Sequence, residues 1–363
     1  MIPDYLYSSI YLYSVIILTL FASSSIKQSY NQIAKGNKNF PAAIIICFVF
    51  ALFLGSRPNT RYFGDTFSYT HTFTMIQTGK DVYTEVDGEW IWRRIMHLCA
   101  QYMNVNDYFT VIDIGYLGFT LWACKRLTPN NVLVSLLFCM GALSFYTYGI
   151  NGIRNGLACS IVLLYFSYLN GNAKDKIIAA ILAFCAYNIH HSTMLPIVIS
   201  IISLFVIRSF KQAYIFWLLS IIISLIAGDA ITAAFATLGF DDRLSYLTHQ
   251  DDVFSHSGFR FDFLIYSMMP IVLGYYVVIK RGIQNKTYLL LLNTYTLTNA
   301  FWVMVIRANY SNRFAYLSWF MYPIVLSYPL LKLDIWEKEQ GIYLKRIMLA
   351  QIGFTWFMKT FYW

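Results

Sequence analysis

About twelve apolar runs, joined mostly by polar connectors too short to fold alone, make up nearly all of this 363-residue chain. A stretch of about 20 apolar residues crosses the hydrocarbon core of a bilayer as a helix. Backbone surrounded by lipid must satisfy its own hydrogen bonds, and only helices and closed barrels do so. The runs fall at about 5–23, 40–56, 107–124, 131–148, 153–170, 175–189, 192–208, 212–238, 262–280, 287–306, 313–331 and 344–361. The expected fold is all-α: a polytopic integral membrane protein with about 12 transmembrane or partly spanning helices, in a single transmembrane domain over residues 1–363.

Composition excludes the main alternatives. Charged residues make up 12% of the chain, against roughly 25% in soluble domains, so no large soluble domain is expected. The net charge of +9 does not point to nucleic acid. The lysines lie in short loops between apolar runs, where they set orientation and meet anionic lipid. Cys47, Cys99, Cys124, Cys139, Cys159 and Cys185 all sit in apolar segments without metal-ligand spacing. They read as small buried hydrophobes, with neither a disulfide framework nor a zinc site. The first run lacks a basic leader and a small-residue cleavage pattern, so it is expected to persist as a span.

Alternate connectors carry the lysines: Lys27, Lys35 and Lys38, then Lys125 and Arg126, Lys174 and Lys176, Arg208 and Lys211, Lys280 to Lys286, and Lys332 to Arg346. The positive-inside rule places these in the cytoplasm and the N-terminus outside. Arginine behaves differently. Nine of the thirteen (Arg57, Arg61, Arg93, Arg94, Arg154, Arg243, Arg260, Arg307 and Arg313) fall on the other side, against two of the fourteen lysines. A guanidinium forks onto phosphate or carboxylate as an ammonium cannot. Arginine gathered where orientation signals disfavour it therefore points to an anion handled at the outer face.

Four outer segments carry these arginines. Residues 55–106 form the longest; within it Trp90, Arg93, Arg94 and His97 recur at helical spacing, as in an amphipathic helix lying in the interface. Its beginning, Arg57-Pro-Asn-Thr-Arg61 followed by Gly64-Asp65-Thr66, is denied regular helix by Pro58 and Gly64 and is free to wrap a ligand. Residues 149–154, with Asn151 and Arg154, form a turn entering a span. Residues 239–262 form a second outer loop with Arg243, His249, His256 and Arg260, and residues 307–313 hold Arg307 and Arg313. Arg154 is the most telling, since an ionised group at the head of a span needs an aqueous cavity or a partner. A snorkelling side chain is the plainer alternative. His190 and His191, where two apolar runs meet at the outer face, can serve as general base or hold a phosphate. Adjacent histidines project from different helix faces, so one of them is expected to serve the site.

At these residues a family likeness becomes visible. The chain resembles the Wzy-type polysaccharide polymerases, in particular the EpsG-like group of exopolysaccharide and O-antigen proteins. The likeness rests on Arg57, Arg61, Gly64-Asp65-Thr66 and Tyr69, on Arg154-Asn155-Gly156-Leu157-Ala158, and on His190-His191-Ser192-Thr193. The Thr often found between the Gly and the Asp is absent. The resemblance implies a GT-C-like architecture in the bacterial inner membrane, its active site facing the periplasm or exterior. There it would join oligosaccharide repeat units carried on undecaprenyl diphosphate. A terminal hydroxyl attacks an anomeric carbon and undecaprenyl diphosphate leaves. Arg154, with Arg57, Arg61, Arg307 and Arg313, would stabilise the charge developing on the diphosphate, and Asp65 or His191 would accept the hydroxyl proton. Tyr69, Asn151, His190, Arg243 and Arg260 complete the expected binding set. No cofactor or metal is expected. Membrane lipids and a chain-length regulator are the further partners implied. A flippase or exporter of lipid-linked oligosaccharide, an O-antigen ligase and a membrane acyltransferase are the alternatives. An exporter would carry ionisable residues through the depth of its spans, whereas here they are few, chiefly Asp113 and Asp229.

Overall fold

The computed structural model describes residues 2–36, 39–80, 88–236, 258–308 and 311–362. Lys38, Arg243, His249, His256, Asn309 and Tyr310 lie outside the described residues. Every described element is helical. Each apolar run predicted above is occupied by helix, in several cases broken into two pieces. Among the described residues, four stretches are long and apolar enough to cross a membrane unaided: Asp4–Ser24, Phe210–Gly228, Phe261–Lys280 and Ser311–Lys332. Shorter apolar helices accompany them at Phe40–Gly55, Ile153–Phe166 and His191–Phe205. This is the composition of a membrane protein.

The contacts gather into two compact units, residues 1–191 with 330–363, and residues 192–329. The first contains α1 (Tyr7–Ser24), α2 (Tyr30–Lys35), α3 (Phe40–Gly55), α4 (Asp65–Gln77) and α5 (Trp90–Tyr102). It continues with α6 (Val105–Leu127), α7 (Val132–Met140), α8 (Phe145–Ile150), α9 (Ile153–Phe166) and α10 (Ala173–Ile189). At its centre, α6 packs on α3 and α9, and every residue of α9 except Arg154 is buried. A helix apolar all round belongs in the middle of a bundle.

The run at 131–148 departs from a simple span. It stops at Met140, turns through residues 141–144, and resumes as α8. Broken helix is tolerated at membrane depth where other protein groups satisfy the freed backbone, and side chains from three helices do so here. Tyr11 donates its hydroxyl to the Met140 carbonyl at 2.7 Å, and Tyr116 to that of Phe145 at 3.1 Å. From α17 (Gln340–Phe361), Gln351 donates to the Phe138 carbonyl at 2.7 Å and Thr355 to that of Gly141 at 2.8 Å. The break positions the turn that leads into Arg154.

Hydrogen bonds between connectors separate into two sets. At one end Asn130 and Asn131 donate to the carbonyls of Ala34 and Ile33, the Gly341 amide to that of Gln28, and Arg126 pairs with Asp175. At the other, Tyr7 donates to the Ser56 carbonyl, Thr60 to Asp4, Asn106 to the Arg57 carbonyl, and the Asp65 amide to Asn151. Each of these bonds joins connectors that the lysine pattern assigned to the same side. The first unit thus has a lysine-rich end and an arginine-rich end.

The second unit contains α11 (Met194–Phe205), α12 (Phe210–Ala236), α13 (Phe261–Gly274), α14 (Lys286–Met304), α15 (Ser311–Trp319) and most of α16 (Tyr322–Lys332). α12 is kinked at Ala227, and α13 continues as π-helix over Tyr275–Lys280. α14 is its buried axis, tied to neighbours by polar bonds as well as packing. Asn299 accepts from the Trp217 indole at 2.9 Å and donates to Ser318 at 3.1 Å. Tyr295 donates to the Ser267 carbonyl at 2.7 Å.

The cost of the α7–α8 break is testable. Gln351→Leu leaves the Phe138 carbonyl without this donor in a buried site, at a cost of about 1–3 kcal/mol. A lower thermal midpoint for the purified variant than for an exposed control, Arg346→Ala, checks it.

Candidate functional site

The arginine-rich end of the first unit is organised by two charged clusters, one sealed and one half-open. The sealed cluster begins where α3 ends. Arg57 is 0% exposed. Its Nη1 donates to Asp113 Oδ2 of α6 at 3.1 Å and to the Leu54 carbonyl at 2.8 Å. Its Nε donates to Thr66 Oγ1 at 3.1 Å, and the Phe109 ring centroid lies 4.1 Å from the guanidinium carbon. Arg57 was expected to contact diphosphate. As placed, it offers no surface to a ligand, because it neutralises the carboxylate that α6 carries into the core. Asp113 and Arg57 each make the other's burial tolerable.

Thr66 extends this cluster by donating to the Ile150 carbonyl at 2.7 Å, while the Asp65 amide donates to Asn151 Oδ1 at 2.7 Å. Gly64 has φ +58°, and a Cβ there would stand 2.6 Å from Asn151 Oδ1. The Gly-Asp-Thr element is therefore a docking surface for the turn ahead of Arg154. Its glycine is required twice, by backbone conformation and by the close approach. The Asp65 side chain is exposed, and Asn151, expected to bind substrate, holds this junction instead.

The half-open cluster surrounds Glu89, which the sequence analysis did not single out. Arg154, three residues past Asn151, directs Nη1 to Glu89 Oε2 at 2.5 Å. His190 Nδ1 lies 2.7 Å from Glu89 Oε1, and the His191 amide donates to the same oxygen at 3.0 Å. Gly88 lets the His191 ring close in, since a Cβ there would lie 2.7 Å from its Cε1. The ring also stacks on Tyr187 at 4.6 Å. One carboxylate thus gathers the head of α9, the end of α10 and the start of α5. The Arg154 side chain is 36% exposed, against 13% for Glu89 and 10% for His190. Both histidines serve the cluster, His190 through its ring and His191 through its backbone.

Burial alone would raise the Glu89 carboxyl. The His190 contact, the Arg154 charge and the His191 amide outweigh it and bring the group down to about 2. An ionised carboxylate only accepts hydrogen bonds, so His190 donates through Nδ1–H, and in the neutral ring the basic nitrogen is then Nε2.

The remaining expected residues fall elsewhere. Arg61 is exposed, its guanidinium carbon 5.2 Å from the Phe67 ring centroid. Tyr69 packs edge-on against Trp92 at 5.7 Å. The predicted amphipathic helix is α5, which buries Trp92, Met96 and Cys99 and exposes Trp90 and Arg94. Arg260, Arg307 and Arg313 belong to the second unit. There Arg260 forks onto Asp262 at 2.9 and 2.6 Å, and Arg307 donates to the Leu225 carbonyl at 3.2 Å. Among the described residues, no group of three or more His, Cys, Asp or Glu is placed to hold a metal ion.

The sequence model of the EpsG family matches residues 42–362. The chain belongs to the EpsG family. No curated protein and no solved structure matches it. Family membership points to a role in polysaccharide polymerisation. Both clusters of the arginine-rich end lie within the matched residues of this EpsG-family chain.

Two measurements check this geometry. Gly64→Ala meets positive φ and Asn151 together, whereas Gly79→Ala, at φ +76° with nothing within 4 Å of the new Cβ, meets only the first. Gly64→Ala is expected to destabilise by about 1–3 kcal/mol more than Gly79→Ala, read as a larger loss in thermal midpoint. The second measurement uses pH. Because the Glu89 pKa is lowered from 4.5 to about 2, its stabilisation is fully present above the higher value and lost as pH falls through the lower. Wild type should exceed Glu89→Gln by about 1–3 kcal/mol near neutral pH, and the gap should narrow from pH 4.5 downward.

Proposed function

We propose that this protein polymerises lipid-linked oligosaccharide at the face of the membrane bearing its arginine-rich end, using the cluster around Glu89 as its reacting site. The observation that carries the reading is Arg154, a half-exposed guanidinium at the head of a buried helix, aimed by a carboxylate that also holds His190. In the reaction, a sugar hydroxyl of one repeat unit forms a bond to the anomeric carbon of another chain. The bond from that carbon to undecaprenyl diphosphate breaks. Negative charge grows on the leaving diphosphate, and Arg154 is the preorganised cation that meets it.

The hydroxyl proton goes to a histidine. Asp65 is exposed and away from the contacts of the cluster. Glu89, with its carboxyl near 2, is too weak a base for a proton transfer near neutral pH. His190 is oriented through Nδ1 by Glu89, the arrangement by which a carboxylate fixes a catalytic imidazole and steadies its protonated form. We assign His190 as the base, in place of Asp65 or His191, with His191 and Tyr187 forming a wall beside it. The roughly twelve runs cross the inner membrane, with the lysine-rich end in the cytoplasm.

An exporter reading lacks this support. Asp113, the mid-span carboxylate that would mark a polar path, is closed against Arg57.

Replacing Arg154 separates charge from fork. Arg154→Ala is expected to lower polymer formation at least about 100-fold, seen in cells as loss of the long-chain ladder with normal protein level. Arg154→Lys should retain part of the activity, because charge remains while bidentate geometry is lost. A normal ladder from Arg154→Ala would remove the guanidinium from the reaction.

A further inference from the structure

At the opposite end of the first unit lies a feature that the polymerase chemistry does not use. α1 and α3 touch toward the arginine-rich end, where Tyr7 stacks on Phe53 at 5.0 Å and Tyr11 meets Phe50 edge-on at 5.4 Å. Toward Lys27 they part around a crevice of about 300 Å³. Its walls are apolar: Phe21 and Ala22 of α1, Ile46 of α3, and Val134 and Leu137 of α7. Phe21 is 75% exposed, so the wall continues onto the outer surface of the bundle. Polar groups gather at one end, where Lys27 stands with Gln32, Asn39 and Asn131.

That polar end is built rather than incidental. The connector carrying Gln32 is fixed by Asn130 and Asn131, which donate to the Ala34 and Ile33 carbonyls at 2.7 and 2.9 Å. Gly36 closes α2 at φ +71°, too near the Asn130 carbonyl to admit any side chain. The Gly341 amide donates to the Gln28 carbonyl at 2.7 Å, so α17 braces the residue beside Lys27.

We infer that this crevice binds one anionic glycerophospholipid, an acyl chain lying between α1 and α3 and the phosphate at Lys27. Three observations select that occupant. The volume lies at the low end of ligand pockets, roughly 300–1,000 Å³, which suits one chain rather than a whole lipid. Polarity runs from apolar walls to a hydrogen-bonding rim, as in a membrane amphiphile. Among the described residues, the rim offers one cation and three amides, a match for a single phosphodiester. A diphosphate would call for several guanidinium groups, and those lie at the other end of the unit. A lipid seated here would staple α1 to α3 at the end away from their aromatic contacts. This inference is independent of the proposed reaction.

The test uses full-length protein purified in detergent and exchanged with equal amounts of phosphatidylglycerol and phosphatidylcholine of identical chains. Native mass spectrometry and thermal midpoint are the readouts. Phosphatidylglycerol should be retained preferentially and raise the midpoint. Lys27→Ala should weaken its retention about fivefold. Ala22→Trp, which fills the crevice, should abolish it, while Lys211→Ala in the second unit should change nothing. Equal retention of the two lipids, or phosphatidylglycerol binding undisturbed by Lys27→Ala, would overturn the inference. Displacement of phosphatidylglycerol by undecaprenyl phosphate at equal concentration would overturn it too, by making the crevice a seat for the substrate's tail. Lys27 is exposed, so Lys27→Ala keeps the test decisive even if Ala22→Trp does not fold.

Discussion

A charge that cannot reach water must be met inside the protein, and the pairing of Arg57 with Asp113 is where this structure begins. Removing one partner of a buried pair leaves the other uncompensated, at a cost of about 3–5 kcal/mol. The C-terminal end of α3 and the first half of α6 are therefore committed to one register. Thr66 completes the arrangement by taking the Arg57 Nε–H and giving its own proton to the Ile150 carbonyl. Through these bonds, a segment that reads as a flexible ligand-wrapping loop becomes a rigid bracket. What it brackets is the turn at 150–152, and hence the position of Arg154.

From that bracket the proposed reacting cluster follows by short steps. Arg154 begins a helix whose other residues are all buried, so its guanidinium has only the open end of the bundle to occupy. Glu89 meets it there and also holds His190, giving an ion pair and an oriented imidazole on one carboxylate. The charge pattern serves both roles. A carboxyl held near 2 stays ionised at any working pH, so in the proposed reaction it would steady the imidazolium formed when His190 takes the hydroxyl proton.

How much of this was legible in the sequence depended on the range of the interaction. Helical runs and their alternation rest on local composition and periodicity, and the helices and the two-ended connector bonding agree with them. The broken run at 131–148 was read as one span, because the donors that make its break tolerable, Tyr11, Gln351 and Thr355, lie more than a hundred residues away. Arg57 was read as a ligand contact because nothing near it shows that Asp113, 56 residues on, will bury with it. Glu89 was passed over for the same reason. It precedes an amphipathic helix as an ordinary acidic residue, and its partners are 65, 101 and 102 residues distant. One signal was available. A half-buried arginine and a histidine pair predicted on one face, with few acidic residues to share, imply a carboxylate between them.

The central claim is that the Glu89 cluster carries glycosyl transfer, and reconstitution tests it most directly. Purified protein in liposomes is supplied with one defined undecaprenyl-diphosphate-linked repeat unit, and product length and released undecaprenyl diphosphate are followed together. Wild type should yield chains of two or more units with one lipid diphosphate released per bond formed, while His190→Ala should bind the repeat unit yet release none. Extension by His190→Ala at the wild-type rate, or no extension by wild type, would contradict the account.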